Sequence, residues 1–137
     1  MSADKLAAAA ENLVGARFRL HGRDPVTGLD CIGVLAQSLL AIGRSTVLPD
    51  DYRLRARRVQ NLAQIAEACG FRRADGPLSP GDVLFSRIGP VQHHLLIASR
   101  DGRLVHAHAG LRRVVIGELG EGWSIVSHWR LAPKSEG

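Results

Sequence analysis

One cysteine and four histidines are the residues of this chain whose types and spacing fit chemistry: Cys31, then His93, His94, His106 and His108. Cys31 lies in Gly28-Leu29-Asp30-Cys31-Ile32-Gly33. Asp30 stands where an N-cap belongs, because its carboxylate can accept from the free N–H groups of a first helical turn. Ile32, Leu35, Leu39 and Ile42 then recur at three- and four-residue spacing, which predicts a helix from Cys31 to about Ile42 with Gly43 at its C-terminal cap. A thiol at the first helical position faces the positive end of the helix dipole, which favours the thiolate and lowers the thiol pKa. A thiolate is a strong nucleophile. The plainer alternative is a small buried hydrophobe, which is what most free cysteines are.

The histidines favour chemistry. Asp101-Gly102 is a tight-hairpin signal between two apolar runs, 93–99 and 104–108. If it closes a hairpin, those runs are adjacent antiparallel strands and His94 and His106 lie near one another on one face. Neighbours along a strand point to opposite faces, so His93 and His94 cannot both line one site, whereas His106 and His108 share a face. A cysteine, a histidine to take its proton and a polar residue to orient that histidine form the nucleophile–base–orienter set of cysteine hydrolases. The candidates are Cys31, His94 and His106. His21 is close in sequence to the Cys31 turn and can line a cleft there. His128 has no partner legible in the sequence.

These side chains need a frame. Residues 4–14 read as an alanine-rich amphipathic helix ended by Gly15, and 18–28 as a loop punctuated by Gly22, Pro25 and Gly28. After the Cys31 helix, 45–55 is a connector containing Pro49, and 59–68 is a helix carrying Leu62, Ile65 and Ala66, followed by Cys69 and Gly70. The period then changes. Segments 82–86, 93–99, 104–108, 113–116 and 125–131 are short, rich in Val, Leu and Ile, and separated by turns. Helices first and strands second predict a single α+β domain over 1–137, with helices packed on a mainly antiparallel sheet of about five strands.

A length of 137 residues suits one domain, and 45% hydrophobic with 23% charged residues fits a soluble globular class. Two cysteines exclude a disulfide framework. Residues 1–12 lack the basic and apolar regions of a secretory leader, and no stretch approaches a membrane span; the expectation is a chain made in the cytoplasm. The formal charge of +5, with clusters at 53–58, Arg72-Arg73 and Arg112-Arg113, favours anionic partners. With 4% aromatics and no interleaving of rings and charges, nucleic acid is not the expected partner.

Five stretches together resemble the NlpC-type cell-wall cysteine peptidases, a papain-like group that cleaves peptidoglycan stem peptides. Gly15-Ala16-Arg17-Phe18-Arg19-Leu20-His21-Gly22 is similar to that family's first loop, and Gly28 to Gly33 to its nucleophile motif. Ser79-Pro80-Gly81-Asp82-Val83-Leu84-Phe85 is similar to its Pro-Gly-Asp strand start. His94-Leu95-Leu96-Ile97 resembles the strand of its catalytic histidine, and Leu104-Val105-His106-Ala107 the strand of its third, polar residue. The resemblance implies a papain-like fold, Cys31 as nucleophile, His94 as base and later acid, and His106 as orienting residue. Phe18, His21 and Asp30 would face the substrate, and first-turn N–H groups would hold the oxyanion. It further implies hydrolysis of an amide bond beside D-glutamate, with no metal and no cofactor.

Two positions depart from the family. Phe18 stands where Tyr is common and Ile32 where Ser is common. A bulky apolar residue after the cysteine resembles variants of phage tails and gene-transfer particles, so the expected partners are a stem peptide and a phage-tail or other targeting protein. Three alternatives stay open. One is a zinc shell from Cys31, His94, His106 and His108. Another is a catalytically degenerate structural or wall-binding module. The third is a cysteine-dependent amidase or acyltransferase.

Overall fold

The computed structural model describes residues 2–44, 62–89 and 92–132. The connector at 45–55, the basic cluster at 53–58 and the start of the helix expected at 59–68 lie outside the described residues. In chain order the elements are α1 (Ser2–Glu11), β1 (Arg23–Asp24), β2 (Gly28–Leu29), α2 (Cys31–Ala41), α3 (Leu62–Ala68), β3 (Phe71–Arg73), β4 (Val83–Gly89), β5 (Gln92–Ala98), β6 (Leu104–His108), β7 (Arg113–Gly117) and β8 (Ser124–Leu131).

α1 stops at Glu11, three residues before the expected end. Gly15 takes φ +95 and turns its N–H onto the Val114 carbonyl, so the chain leaves the helix axis to reach the sheet. The Glu11 carboxylate then takes the Arg100 guanidinium and backbone N–H, pinning the end of α1 to the β5–β6 turn. α2 begins and ends as its sequence predicts. Asp30 is extended, and its Oδ1 accepts from the Gly33 N–H at 2.8 Å. At the other end Gly43 has φ +82, and the Arg44 and Gly43 N–H groups bond the Leu39 and Leu40 carbonyls, a Schellman closure.

Six strands form one antiparallel sheet in the order β3-β8-β4-β5-β6-β7. The strand missed by the sequence reading is β3, whose three residues pair with the end of β8. Segments 17–18 and 23–29 are more ordered than a plain loop: β1 and β2 pair, and Phe18 bridges to Leu29. Residues 15–18 also bond the Arg112–Val114 end of β7, so they stitch that margin of the sheet to β2 and the start of α2. The opposite margin is β3, which is short and carries exposed Arg72 and Arg73.

Alternation along the strands divides the apolar residues between two faces. Val83, Ile97, Val105, Ala107 and Val114 pack under Leu6, Val34, Leu35 and Leu39 of the helices. Leu84, Leu96, Ala98 and Leu104 form a smaller cluster on the far face, covered by Leu119 and Trp123. Asp82 locks the start of β4. It is fully buried, accepts both Arg130 guanidinium bonds at 2.9 Å and lies 2.6 Å from His128 Nε2. Burial pushes the Asp82 pKa up, but the bonds from Arg130, His128 and the Ser79 N–H outweigh it and hold the carboxyl below its ordinary value. The partner of His128 is therefore Asp82.

Candidate active site

The site lies where the β5–β6 ladder opens. Backbone pairing between these strands is confined to Ile97↔Val105 and Ala98↔Leu104, next to the turn that Asp101 and Gly102 close. Farther along, the Leu95 N–H is near enough to Cys31 to favour its charged form, and the Ala107 carbonyl near enough to His94 to do the same there. A cavity of about 590 Å³ spans the opening and is lined by Cys31, His94 and His106, with Phe18, Ile32 and Trp123 among its apolar walls.

His94 and His106 sit on the same face, as alternation predicts. His94 Nε2 and His106 Nδ1 are 3.0 Å apart, with ring centroids at 5.0 Å and planes at 85°. One nitrogen donates and the other accepts, so the pair shares one hydrogen. His93 stacks on Phe85, centroids 5.1 Å apart and planes at 9°, yet it also borders the cavity, so the expectation that His93 and His94 cannot both line one site does not hold. His108 lies 5.9 Å from His106 and also borders the cavity. Its Nδ1 accepts from the Leu111 N–H at 3.0 Å, which leaves the proton of the neutral ring on Nε2.

The loop from 18 to 30 is held by Asp30. Besides the Gly33 bond, Oδ1 takes the Arg23 guanidinium at 2.9 Å and Oδ2 takes the His21 N–H at 2.9 Å. Phe18, His21 and Asp30 all border the cavity, but both Asp30 oxygens are engaged within the loop, so its evident work is to position His21 and the helix start. Three glycines make the packing possible. A Cβ on Gly22, Gly28 or Gly33 would fall within 3.0 Å of the Gly28 carbonyl, the Arg19 side chain or the Gly22 carbonyl respectively.

The electrostatics differ from the local expectation. The Cys31 thiol is 5% exposed, and burial pushes its pKa from 9.0 up to about 12. The N–H groups of Leu95, Ile32 and Cys31 oppose that rise, while the Asp30 carboxylate adds to it. A thiol at a helix start has the dipole in its favour, but here desolvation is the larger effect. Burial, with His106 and His108 nearby, holds His94 down at about 4, and burial with His108 does the same for His106. At neutral pH the resting site therefore holds a thiol and neutral imidazoles.

Trp123 is the site residue that sequence reasoning missed. Its indole meets His94 at 5.8 Å and His106 at 5.6 Å, with planes at 75° and 81°. The available signal was a tryptophan directly after Gly120-Glu121-Gly122, at the start of the last strand. Among the described residues no three His, Cys, Asp or Glu side chains are grouped as a metal shell would require.

No family profile and no curated protein matches the chain. Solved structures do. An NlpC/P60 family protein from Bacillus cereus superposes with a TM-score of 0.70 at 21% identity, over 96% of this chain and 40% of that one. NlpC1 from Trichomonas vaginalis gives 0.67 at 17% identity, over 93% of this chain and 44% of that one. The NlpC/p60 domain of the peptidoglycan hydrolase SagA gives 0.67 at 21% identity, over 94% of this chain and 98% of that domain. The chain has the NlpC/P60 fold. It spans less than half the length of the Bacillus and Trichomonas proteins and nearly all of the SagA domain. Within this NlpC/P60 frame, the start of α2 and the opened β5–β6 ladder bring a thiol and two imidazoles to one cavity. Those are the group types that cysteine-dependent acyl transfer uses.

Proposed function

We propose that this chain is an NlpC/P60 cysteine peptidase that hydrolyses amide bonds in peptidoglycan stem peptides. The observation that carries the reading is the convergence of Cys31, His94 and His106 on one cavity of an NlpC/P60 fold, with the two imidazoles 3.0 Å apart. That SagA's domain of the same fold belongs to a peptidoglycan hydrolase supports the choice of substrate.

In this reading the pair starts neutral. Cys31 Sγ attacks the amide carbon as its proton passes to His94, and charge builds on the carbonyl oxygen. First-turn N–H groups of α2 would stabilise that oxyanion; the Gly33 N–H is taken by Asp30, and those of Cys31 and Ile32, which favour the thiolate at rest, would turn to the oxyanion. His94 then protonates the leaving amine, and the C–N bond breaks to give a thioester. Water, deprotonated by His94, releases the acid and restores the thiol. His106, through its shared hydrogen with His94, holds the ring in the orientation both transfers need. A targeting protein, such as a phage-tail component, would deliver the domain to the wall.

The test is digestion of purified peptidoglycan by wild type and by Cys31→Ala, with fragments read by mass spectrometry. New stem-peptide fragments from the wild type alone are expected, and their masses name the bond. If wild type releases nothing and sacculi still retain the protein, it is a binding module.

A further inference from the structure

We propose that Trp123 is the positioning residue of the His94–His106 pair, and that Gly120 is glycine so that the indole can lie against both rings. The three rings form a closed triangle, with centroid separations of 5.0, 5.6 and 5.8 Å and every pair of planes between 75° and 85°. Edge-to-face contact sets the positive rim of one ring on the negative face of the next. Imidazole rotation about χ2 is intrinsically broad, so a ring with one hydrogen-bond partner still has latitude. A third perpendicular ring touching both members removes it.

The β7–β8 loop is built to present that ring. The Trp123 N–H bonds the Gly120 carbonyl at 3.1 Å, closing a turn that folds the indole back over the loop. A Cβ at Gly120 would lie 2.6 Å from indole Cδ2 and 2.8 Å from Cζ2, and nearer still to Cε2. Any other residue there opens the turn or drives the indole off the histidines. Leu119 and Trp123 also cap Leu84, Leu96, Ala98 and Leu104, so the indole is anchored in the far-face cluster. The contact screens both imidazoles from water, in keeping with the downward pressure of burial on both pKa values. The other titratable groups at the cavity are Cys31 and Asp30 at the start of α2, His21 on the preceding loop, His93 on β5 and His108 on β6. Glu118 and Glu121 are the charged groups of the β7–β8 loop itself.

The test is NMR titration of the histidine rings in wild type, Trp123→Ala, Gly120→Ala and Trp123→Phe. Gly120→Ala keeps the tryptophan and moves it, which separates the indole's position from its presence. Wild-type His94 and His106 should titrate near 4. Both alanine variants should shift the pair upward by about one unit or more as water reaches the rings, and Trp123→Phe should stay close to wild type. If an alanine variant fails to fold, Trp123→Leu, which keeps an apolar side chain but no ring against the imidazoles, stands in its place and should shift the pair upward in the same direction. Unchanged titration of both histidines in folded variants would overturn the proposal. A parallel rate measurement, which rests on the peptidase reading, should show kcat falling about tenfold to a hundredfold with KM little changed. The titration holds or fails whether or not the wall is cut, so the two proposals can fail separately.

Discussion

Gly33→Ala should destabilise the protein even though it places a better helix former inside a helix. In an exposed helix the change is worth about 1 kcal/mol in favour of alanine. Here the added Cβ points at the Gly22 carbonyl oxygen, within 3.0 Å, and also meets Gly22 C and Leu29 Cδ2 at 3.2 Å. Ordinary contact would require the 18–22 loop to retreat by about 1 Å. The loop cannot retreat freely. The Gly22 carbonyl accepts from the Asp30 N–H and the Arg23 guanidinium, and the N–H of the preceding residue, His21, is bound to Asp30 Oδ2. Overpacking of this kind costs about 1–3 kcal/mol, and a strained Asp30 cap adds about 1 more, so after the helix-propensity gain a net loss of roughly 1–3 kcal/mol is expected. For a chain of this size that lowers Tm by about 5–10 °C. Because Phe18 and His21 ride on the same loop, peptidoglycan turnover should fall more steeply than stability, by up to about a hundredfold at temperatures where the variant is folded. Thermal and urea unfolding check the first part and fragment release the second. A Gly33→Ala protein as stable as wild type, or more so, would refute the claim that glycine is kept there for close approach of the loop.

Three further outcomes follow from the same geometry. With its pKa pushed from 9.0 to about 12, Cys31 in the free protein should be alkylated by iodoacetamide about a thousandfold more slowly than a peptide cysteine near neutral pH, measured against Cys31→Ala as baseline; a plateau reached below pH 7 would mean a preformed thiolate–imidazolium pair. His94 takes its proton only near pH 4 when folded, whereas the unfolded chain takes it from 6.5 downward, so stability should be level above that window and fall as pH drops through it, by at most about 3 kcal/mol from this residue; urea titrations of wild type and His94→Gln at both ends of the window should differ in slope. The Ser86 hydroxyl, buried directly across the sheet from His94, has no hydrogen-bond partner among the described residues, so Ser86→Ala should be neutral or stabilising by about 1 kcal/mol in urea unfolding, and a loss of more than that would reveal a partner.

What could be read from the sequence was local or periodic. The Asp30 cap, the extent of α2, the Asp101-Gly102 turn and the shared face of His94 and His106 each depend on neighbours within a few residues or on strand alternation, and each matches the structure; His93 borders the cavity as well, which alternation alone does not predict. The expectation of about five strands fell one short because β3 has three residues, two of them exposed arginines, and exists through its pairing with the end of β8. His128 could not be matched with Asp82 across 46 positions until β4 and β8 were known to be neighbours. Trp123 went unnoticed because its contacts come from a loop folded back over the sheet. The thiol pKa runs opposite to the local expectation, since a cap-and-dipole argument sees the helix end but not the burial that desolvates the sulfur and outweighs the nearby N–H groups.

The two margins of the sheet also decide how an extended peptide can arrive. Backbone recognition by strand addition requires a run of unsatisfied N–H and C=O groups long enough to template a partner. At one margin β3 offers three residues flanked by charge, and at the other residues 15–18 already hold the Arg112–Val114 end of β7. Under the proposed peptidase reading, a substrate peptide would be gripped by side chains in the cavity rather than zipped along the sheet.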